Sequence, residues 1–445
     1  MKKYFIITFG CQTNKSDSER IASVLEKMAY NPASKINEAD LIVINMCSVR
    51  QSAVDRVYGF SPKLKKLKNP AFKTILTGCI LRKDQKKFKN FFDFVLPIKT
   101  LEFWPVILKE KKYSFYLNQR SPSFIKKFDL GYLKVSPKYR KNFSVFIPIS
   151  TGCNNFCAYC VVPFTRGPLI CRPHEDILKE IENSIKKGAK EVWLLGQNVN
   201  DYRSPTDPLI DFPKLLEMTN NIPGNFWLSF ISSNPKDFSK ELIQKMAECK
   251  KINEYLNLPI QSGDNEILKK MNRLYTIEKY KDLVKKVRQK IPNIALSTDV
   301  IVGFPGETKE QFQNTAKLFK EMKFDMAYIA EYSPRPGTKA YEMNDDVPRK
   351  EKIKRREILT KVLIKTALEK NKKYIGKEVE VLANKKENRF LYGKTRTHKT
   401  VKVTIPDTRY KIQDTNLVGK VAKVKIVDAL PWGLKGTLET LNFKG

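Results

Sequence analysis

Three short apolar runs near the start of the chain each end in a cysteine: KYFIITFGC closes at Cys11, LIVINMC at Cys47 and TILTGC at Cys79. Helical patterns lie between them. After the first run, SDSERIASVLEKMA opens with an apparent capping box from Ser16 to Glu19, then sets Ile21, Leu25 and Met28 on one face. Strand, helix, strand at this spacing predicts βαβ units and therefore a parallel sheet. In an open parallel sheet the strands end along one edge, and ligands bind there. Topology alone would bring Cys11, Cys47 and Cys79 to one place.

The α/β alternation resumes after a Lys-, Ser- and Tyr-rich connection at about 112–140. Between 139 and 369 the strand candidates are FSVFIPIS, EVWLLG, FWLSFI, EYLNLPI, IALSTDVIVG and DMAYIAEY, with helical patterns such as 175–187 and 308–322 between them. Six strands with crossover helices predict a partial or full (β/α) barrel, again with its site at the strand C-termini. From 370 to 441 the pattern changes to period two in KEVEVLA, RFLYGKT, TVKVTI and AKVKIVDAL, which predicts a small antiparallel β-barrel. The fold class is thus α/β with three units: 1–118, 139–369 and 370–441.

Charge narrows the partners. Lys and Arg number 83 against 47 acids, a net charge of +36. A surface of that sign attracts polyanions through counterion release. From Lys370 onward the chain holds 18 Lys or Arg against 7 acids. A small basic barrel of this kind is either an RNA-binding module or a structural cap with a solvated lysine face, and the first is the reading adopted. No stretch of about 20 apolar residues is present, so no membrane span is expected. The opening apolar run is short for a signal segment. A cytoplasmic location is expected, where eight cysteines read as ligands or catalysts rather than as disulfides. Nothing demands an oligomer, and a monomer is expected.

The fourth cysteine feature is TGCNNFCAYCVVPFTRG, in which Cys153, Cys157 and Cys160 are spaced Cys-x3-Cys-x2-Cys after the first strand of the central unit. A structural zinc site would need a fourth ligand. The two histidines, His174 and His398, read as surface residues. A 4Fe-4S cluster also usually takes four cysteines. Three leave one iron open to a small chelating substrate.

That spacing, with Tyr159 between the last two cysteines, resembles the radical S-adenosylmethionine superfamily. The resemblance implies a 4Fe-4S cluster on Cys153, Cys157 and Cys160, with S-adenosylmethionine bound at its open iron and cleaved to a 5′-deoxyadenosyl radical. Cys11, Cys47 and Cys79 then read as ligands of a second, auxiliary 4Fe-4S cluster, the alternative being three well-packed buried thiols. Two such trios with a terminal barrel resemble the methylthiotransferases over nearly the whole chain. CSVRQSA, GCNNFCAYCVVPFTRGPLICRP, LLGQNVNDY, LPIQSGDNEILKKMNRLYT and STDVIVGFPGET resemble the branch acting on tRNA. The resemblance makes the terminal unit TRAM-like and the central one a partial barrel. It implies methylthiolation at C2 of N6-isopentenyladenosine beside the anticodon, with sulfur carried by the auxiliary cluster. The tRNA anticodon loop is the implied partner, and an electron donor and a sulfur source of unknown identity are implied too. Other targets, threonylcarbamoyl-adenosine or a ribosomal protein, and a non-catalytic iron–sulfur RNA-binding protein are the alternatives.

Further positions are expected near cofactor or substrate because they follow strand ends. They are Gln197 and Asn198 after VWLLG, Gln261 with Ser262 and Gly263 after LPI, and Gly303 to Glu307 in GFPGE, where an ordinary tight turn is the competing reading. Arg166 and Arg172 flank the cysteine loop, ready for phosphate or carboxylate, or simply solvated. The sequence departs from the family pattern at Cys171, Asn234, Asn257 and Ile80–Leu81. Cys249 reads as structural.

Overall fold

The computed structural model describes residues 1–49, 51–65, 72–110, 131–405 and 417–438. Most of the predicted connection at 112–140, the boundary at 118 and Arg50 of the CSVR stretch lie outside the described residues.

The first unit is a parallel sheet. Strands β1 (Lys3–Phe9), β2 (Asn31–Pro32), β3 (Leu41–Cys47), β4 (Lys73–Cys79) and β5 (Phe94–Val95) stand in the order β2-β1-β3-β4-β5. Every residue of β3 is buried, as expected for a central strand covered on both faces. Registers pair Phe9 with Met46 and Cys47 with Cys79, so the three strands end level with one another.

The helix after β1 runs Gln12–Lys27 and begins four residues before the predicted cap. Cys11 is its N-cap, and the Asn14 side chain accepts from the Cys11 amide at 3.3 Å. Ser16 lies inside the helix. Its hydroxyl donates 3.0 Å to the Phe146 carbonyl of the central unit. Ile21 and Leu25 face the first unit's core as expected. The opposite, polar face is buried as well, because the central unit packs on it. Arg20 is fully buried and pairs with Glu180 at 2.9 Å.

Glu19 lies on the same face, and burial, only partly offset by the Arg140 amide, raises its carboxyl from 4.5 to about 7. An acid with a raised folded pKa weakens the fold as pH climbs from its ordinary value through the raised one. Glu19→Gln should therefore leave stability unchanged near pH 4 and raise it by up to about 3 kcal/mol at pH 8, read from urea midpoints at the two pH values.

The central unit contains the six predicted strands: β6 (Ser144–Pro148), β9 (Glu191–Leu195), β10 (Trp227–Phe230), β11 (Tyr255–Asn257), β12 (Ala295–Val302) and β13 (Met326–Glu331). Two parallel sheets, β6-β9-β10 and β11-β12-β13, are linked by a bridge between Leu228 and Ile252. No pairing joins β6 to β13 among the described residues, so this is a partial barrel. A short ribbon of β7 (Ser150–Thr151) and β8 (Ile170–Cys171) flanks the cysteine loop. Helices His174–Lys186 and Lys309–Met322 fall within a residue of their expected limits.

A 24-residue helix, Arg349–Lys372, runs across the predicted boundary at 370 and leads into the terminal barrel. Strands β14 (Glu378–Glu387), β15 (Phe390–Thr395), β16 (Thr400–Thr404), β17 (Val421–Leu430) and β18 (Gly433–Leu438) close in the order β14-β15-β16-β18-β17. One correction is needed: β16 and β18 pair in parallel.

The barrel docks where the central strands begin, opposite the edge where they end. Arg396 meets Glu254 just before β11 at 3.1 Å. His398 is half-buried, packed against Trp193 and Tyr255 rather than lying open on the surface, and desolvation lowers its imidazole to about 3, so the ring is neutral. Asp325, just before β13, accepts from Lys370 and Lys399 at 2.6 and 2.7 Å. Burial opposes its ionisation, but the two ammonium groups outweigh it and its pKa falls below the ordinary value. Asp325→Ala strands both cations and should cost about 3 kcal/mol, seen as a lower urea midpoint and faster proteolytic release of the barrel.

Candidate metal centres and their surroundings

Both cysteine trios sit where the strands end. Cys47 and Cys79 are register partners whose thiols interact, and Cys11 bears on Cys47 electrostatically from the neighbouring strand end. The bond from Cys79 holds the Cys47 thiol down, while that bond and burial push Cys79 up. Cys11 also begins a 16-residue helix, whose N-terminal dipole favours negative charge. Gly78 makes room for this meeting. Its φ is +102°, and a Cβ there would fall 2.2 Å from the Met46 carbonyl.

The second trio lies on the loop after β7. Gly152 has φ +74°, and a Cβ would strike the Pro168 carbonyl at 1.9 Å. Burial pushes Cys153 up, and pushes Cys160 up to about 12 with the neighbouring cysteines adding to it. Metal loading must therefore displace thiol protons. The Asn155 amide donates to Cys153 Sγ at 3.4 Å, and Arg273 Nη1 to Cys157 Sγ at 3.5 Å. Such N–H···S contacts tune iron–sulfur centres.

Among the described residues, no three His, Cys, Asp or Glu side chains converge as they would on one metal ion. A cubane asks for something different, since each thiolate binds a separate iron corner. Two groups of three thiols with N–H donors aimed at their sulfurs fit that group. All eight cysteines are free.

Arg166 follows the second trio, yet its side chain serves the first. It is 2% exposed. Its Nε donates to Cys79 Sγ at 3.0 Å, Nη2 to Asp17 Oδ2 at 2.6 Å and Nη1 to the Tyr132 hydroxyl at 3.3 Å. Neither phosphate nor solvent is its partner. Arg172 is likewise buried, on Glu180 at 2.8 Å and the Pro148 carbonyl at 2.8 Å.

The remaining candidates divide. Gln197 and Asn198 follow β9; Asn198 Nδ2 donates to Asp237 at 2.8 Å, while its buried Oδ1 has no partner among the described residues. Gln261 takes φ +67° and bonds through its backbone to Asp299 and Ile301 of β12. Gly263 is required by packing, since a Cβ would lie 2.4 Å from Thr315 Cα. The Glu307 carboxylate takes the Gly303 amide at 2.7 Å and Arg355 at 2.7 Å. Those contacts place both residues in a turn held to the long helix. Asn234 accepts from the Lys236 amide at 3.3 Å, and Asn257 donates to Ser297 and Asp299 at 3.1 and 3.0 Å. Cys249 is buried at a helix end. His174 is half-buried beside Ser204 at 3.0 Å. Arg273 was not singled out from the sequence, since nothing local marks an arginine that reaches back to Cys157.

A partial (β/α) barrel carrying three thiols on the loop after its first strand defines a radical S-adenosylmethionine protein, a class whose cofactors are a 4Fe-4S cluster and S-adenosylmethionine. Residues 147–319 match the Radical SAM superfamily, and residues 3–96 match Uncharacterized protein family UPF0004. A tRNA-2-methylthio-N(6)-dimethylallyladenosine synthase from Clostridium botulinum strain Hall is 41% identical over 98% of this chain and 96% of its own length. Its namesake from Thermoanaerobacter sp. strain X514 is 40% identical over 98% and 92%. The chain belongs to the tRNA-2-methylthio-N(6)-dimethylallyladenosine synthase family. Among solved structures, the radical S-adenosylmethionine methyltransferase TsrM from Kitasatospora setae, with cobalamin and a 4Fe-4S cluster bound, shares the fold. Its TM-score is 0.55 at 14% identity, over 77% of this chain and 74% of that one.

Proposed function

We propose that the protein is an enzyme that adds a methylthio group to C2 of N6-isopentenyladenosine beside the anticodon of tRNA. The observation that carries this reading is a pair of three-thiol groups at strand ends, in a chain 41% identical over nearly its full length to proteins named for that product. Cys153, Cys157 and Cys160 would hold the cluster that engages S-adenosylmethionine, and Cys11, Cys47 and Cys79 the auxiliary one. When bound, the two clusters supply radical generation and sulfur delivery. The chain's own part is to hold, donate and shield. Arg273 and the Asn155 amide steady the sulfurs of Cys157 and Cys153, and Arg166 steadies Cys79.

The net charge of +36 supports an RNA substrate. An anticodon loop is already single-stranded, so turning out its adenosine costs little. The barrel, docked at the far end of the strands, would grip the RNA away from the reacting base. No described helix is long and apolar enough to cross a membrane.

Nucleoside analysis of tRNA from a deletion strain tests the reading. The expected result is loss of the 2-methylthio-isopentenyl nucleoside with its isopentenyl precursor accumulating. An unchanged profile, or loss of a threonylcarbamoyl derivative instead, refutes it.

A further inference from the structure

Two adjacent residues touch both trios. The Arg166 side chain donates to Cys79 Sγ at 3.0 Å, and the carbonyl of Gly167 accepts the Cys153 amide at 3.2 Å. One dipeptide thus separates a cysteine of the first unit from a cysteine of the second. We propose that Arg166 is the positioning residue that registers the two trios against each other and places a positive charge on the auxiliary one through Cys79. This rests on the two-cluster reading above.

The surroundings fit a fixed rather than a roaming guanidinium. Three of its N–H donors go to three different acceptors: a thiol, a carboxylate and a phenol. Asp17 is fully buried on the helix that Cys11 caps, and Tyr132 in turn donates to the Thr151 hydroxyl, two residues before Cys153. The network therefore reaches both sides of the gap from elements that carry or flank the cysteines. Arginine is the side chain with a planar fork able to make three such bonds at once. Lysine keeps the charge and loses that geometry. Asp17 partly neutralises the guanidinium, and its second oxygen, Oδ1, has no partner among the described residues.

A cation donating to a cysteine ligand favours the more negative, reduced state of a cluster. Removing it should lower the reduction potential of the auxiliary centre. Removing the counter-charge of Asp17 should raise it.

The test uses the full chain, anaerobically reconstituted, with Arg166→Gln, Arg166→Lys and Asp17→Asn. The auxiliary potential is read by redox titration followed by electron paramagnetic resonance, in a background with Cys153, Cys157 and Cys160 replaced by Ala. Coupling is read with those cysteines restored, as methylthiolated product per 5′-deoxyadenosine. Arg166→Gln should shift the potential negative and cut product per 5′-deoxyadenosine by about tenfold, with 5′-deoxyadenosine still formed. Arg166→Lys should recover the potential but not the coupling. Asp17→Asn should shift the potential positive, and this measurement decides if Arg166→Gln fails to load iron. The proposal is overturned if Asp17→Asn leaves the potential unmoved. It is also overturned if an iron-replete Arg166→Gln keeps both the wild-type potential and the wild-type coupling. The two-cluster reading fails separately, if replacing Cys11, Cys47 and Cys79 removes no iron.

Discussion

Replacing Cys11, Cys47 and Cys79 together by Ala should leave a protein that still makes 5′-deoxyadenosine from S-adenosylmethionine and makes no methylthiolated tRNA. The structure says why the two outcomes separate. The trio sits on a sheet with its own core, built from residues such as Leu41, Val43 and Ile75, which the substitutions leave alone. Cys47 and Cys79 are the last residues of β3 and β4, and neither belongs to the apolar clusters that pack the sheet. The loop bearing Cys153, Cys157 and Cys160 keeps its own N–H donors, Asn155 and Arg273. The check is chromatography of both products from one reduced, anaerobic reaction. If methylthiolated nucleoside still appears, the first trio is not the sulfur-delivering centre.

The converse substitution, Ala at Cys153, Cys157 and Cys160, should abolish both products. Without that trio there is nothing to reduce S-adenosylmethionine, whatever the other trio retains. The fold should survive, because these cysteines lie on a loop and the central core is made by strands and helices elsewhere. An unaltered circular dichroism spectrum with no 5′-deoxyadenosine is the expected pair of results. Residual 5′-deoxyadenosine would move radical generation to the other trio and reverse the assignment.

The strands were legible because burial on both faces leaves continuous apolar runs. β3 and β4 announce themselves in LIVINMC and TILTGC, and their parallel pairing followed from the helices between them. The cysteine positions were legible for the same reason, since a strand end is a local feature. What the sequence hid was long-range. Nothing local to Ser16, Asp17 and Arg20 marks them as buried, because their partners Phe146, Arg166 and Glu180 lie some 130 to 160 residues away. Asn14 takes the capping role that Ser16 and Glu19 seemed to hold, because it is the side chain that reaches the Cys11 amide. His398 reads as a surface residue until Trp193 and Tyr255 are placed around it. β18 went unseen because GLKGTL spends two positions on glycine, and Gly436 is needed there: a Cβ would sit 2.4 Å from Val424.

Iron and acid-labile sulfide per chain, after anaerobic reconstitution, test the account at its root. Two separately held cubanes predict about eight irons and eight sulfides in the unaltered protein, and about four of each in either triple-alanine variant. A protein that never exceeds about four irons, or one triple variant that loses everything while the other loses nothing, would contradict it.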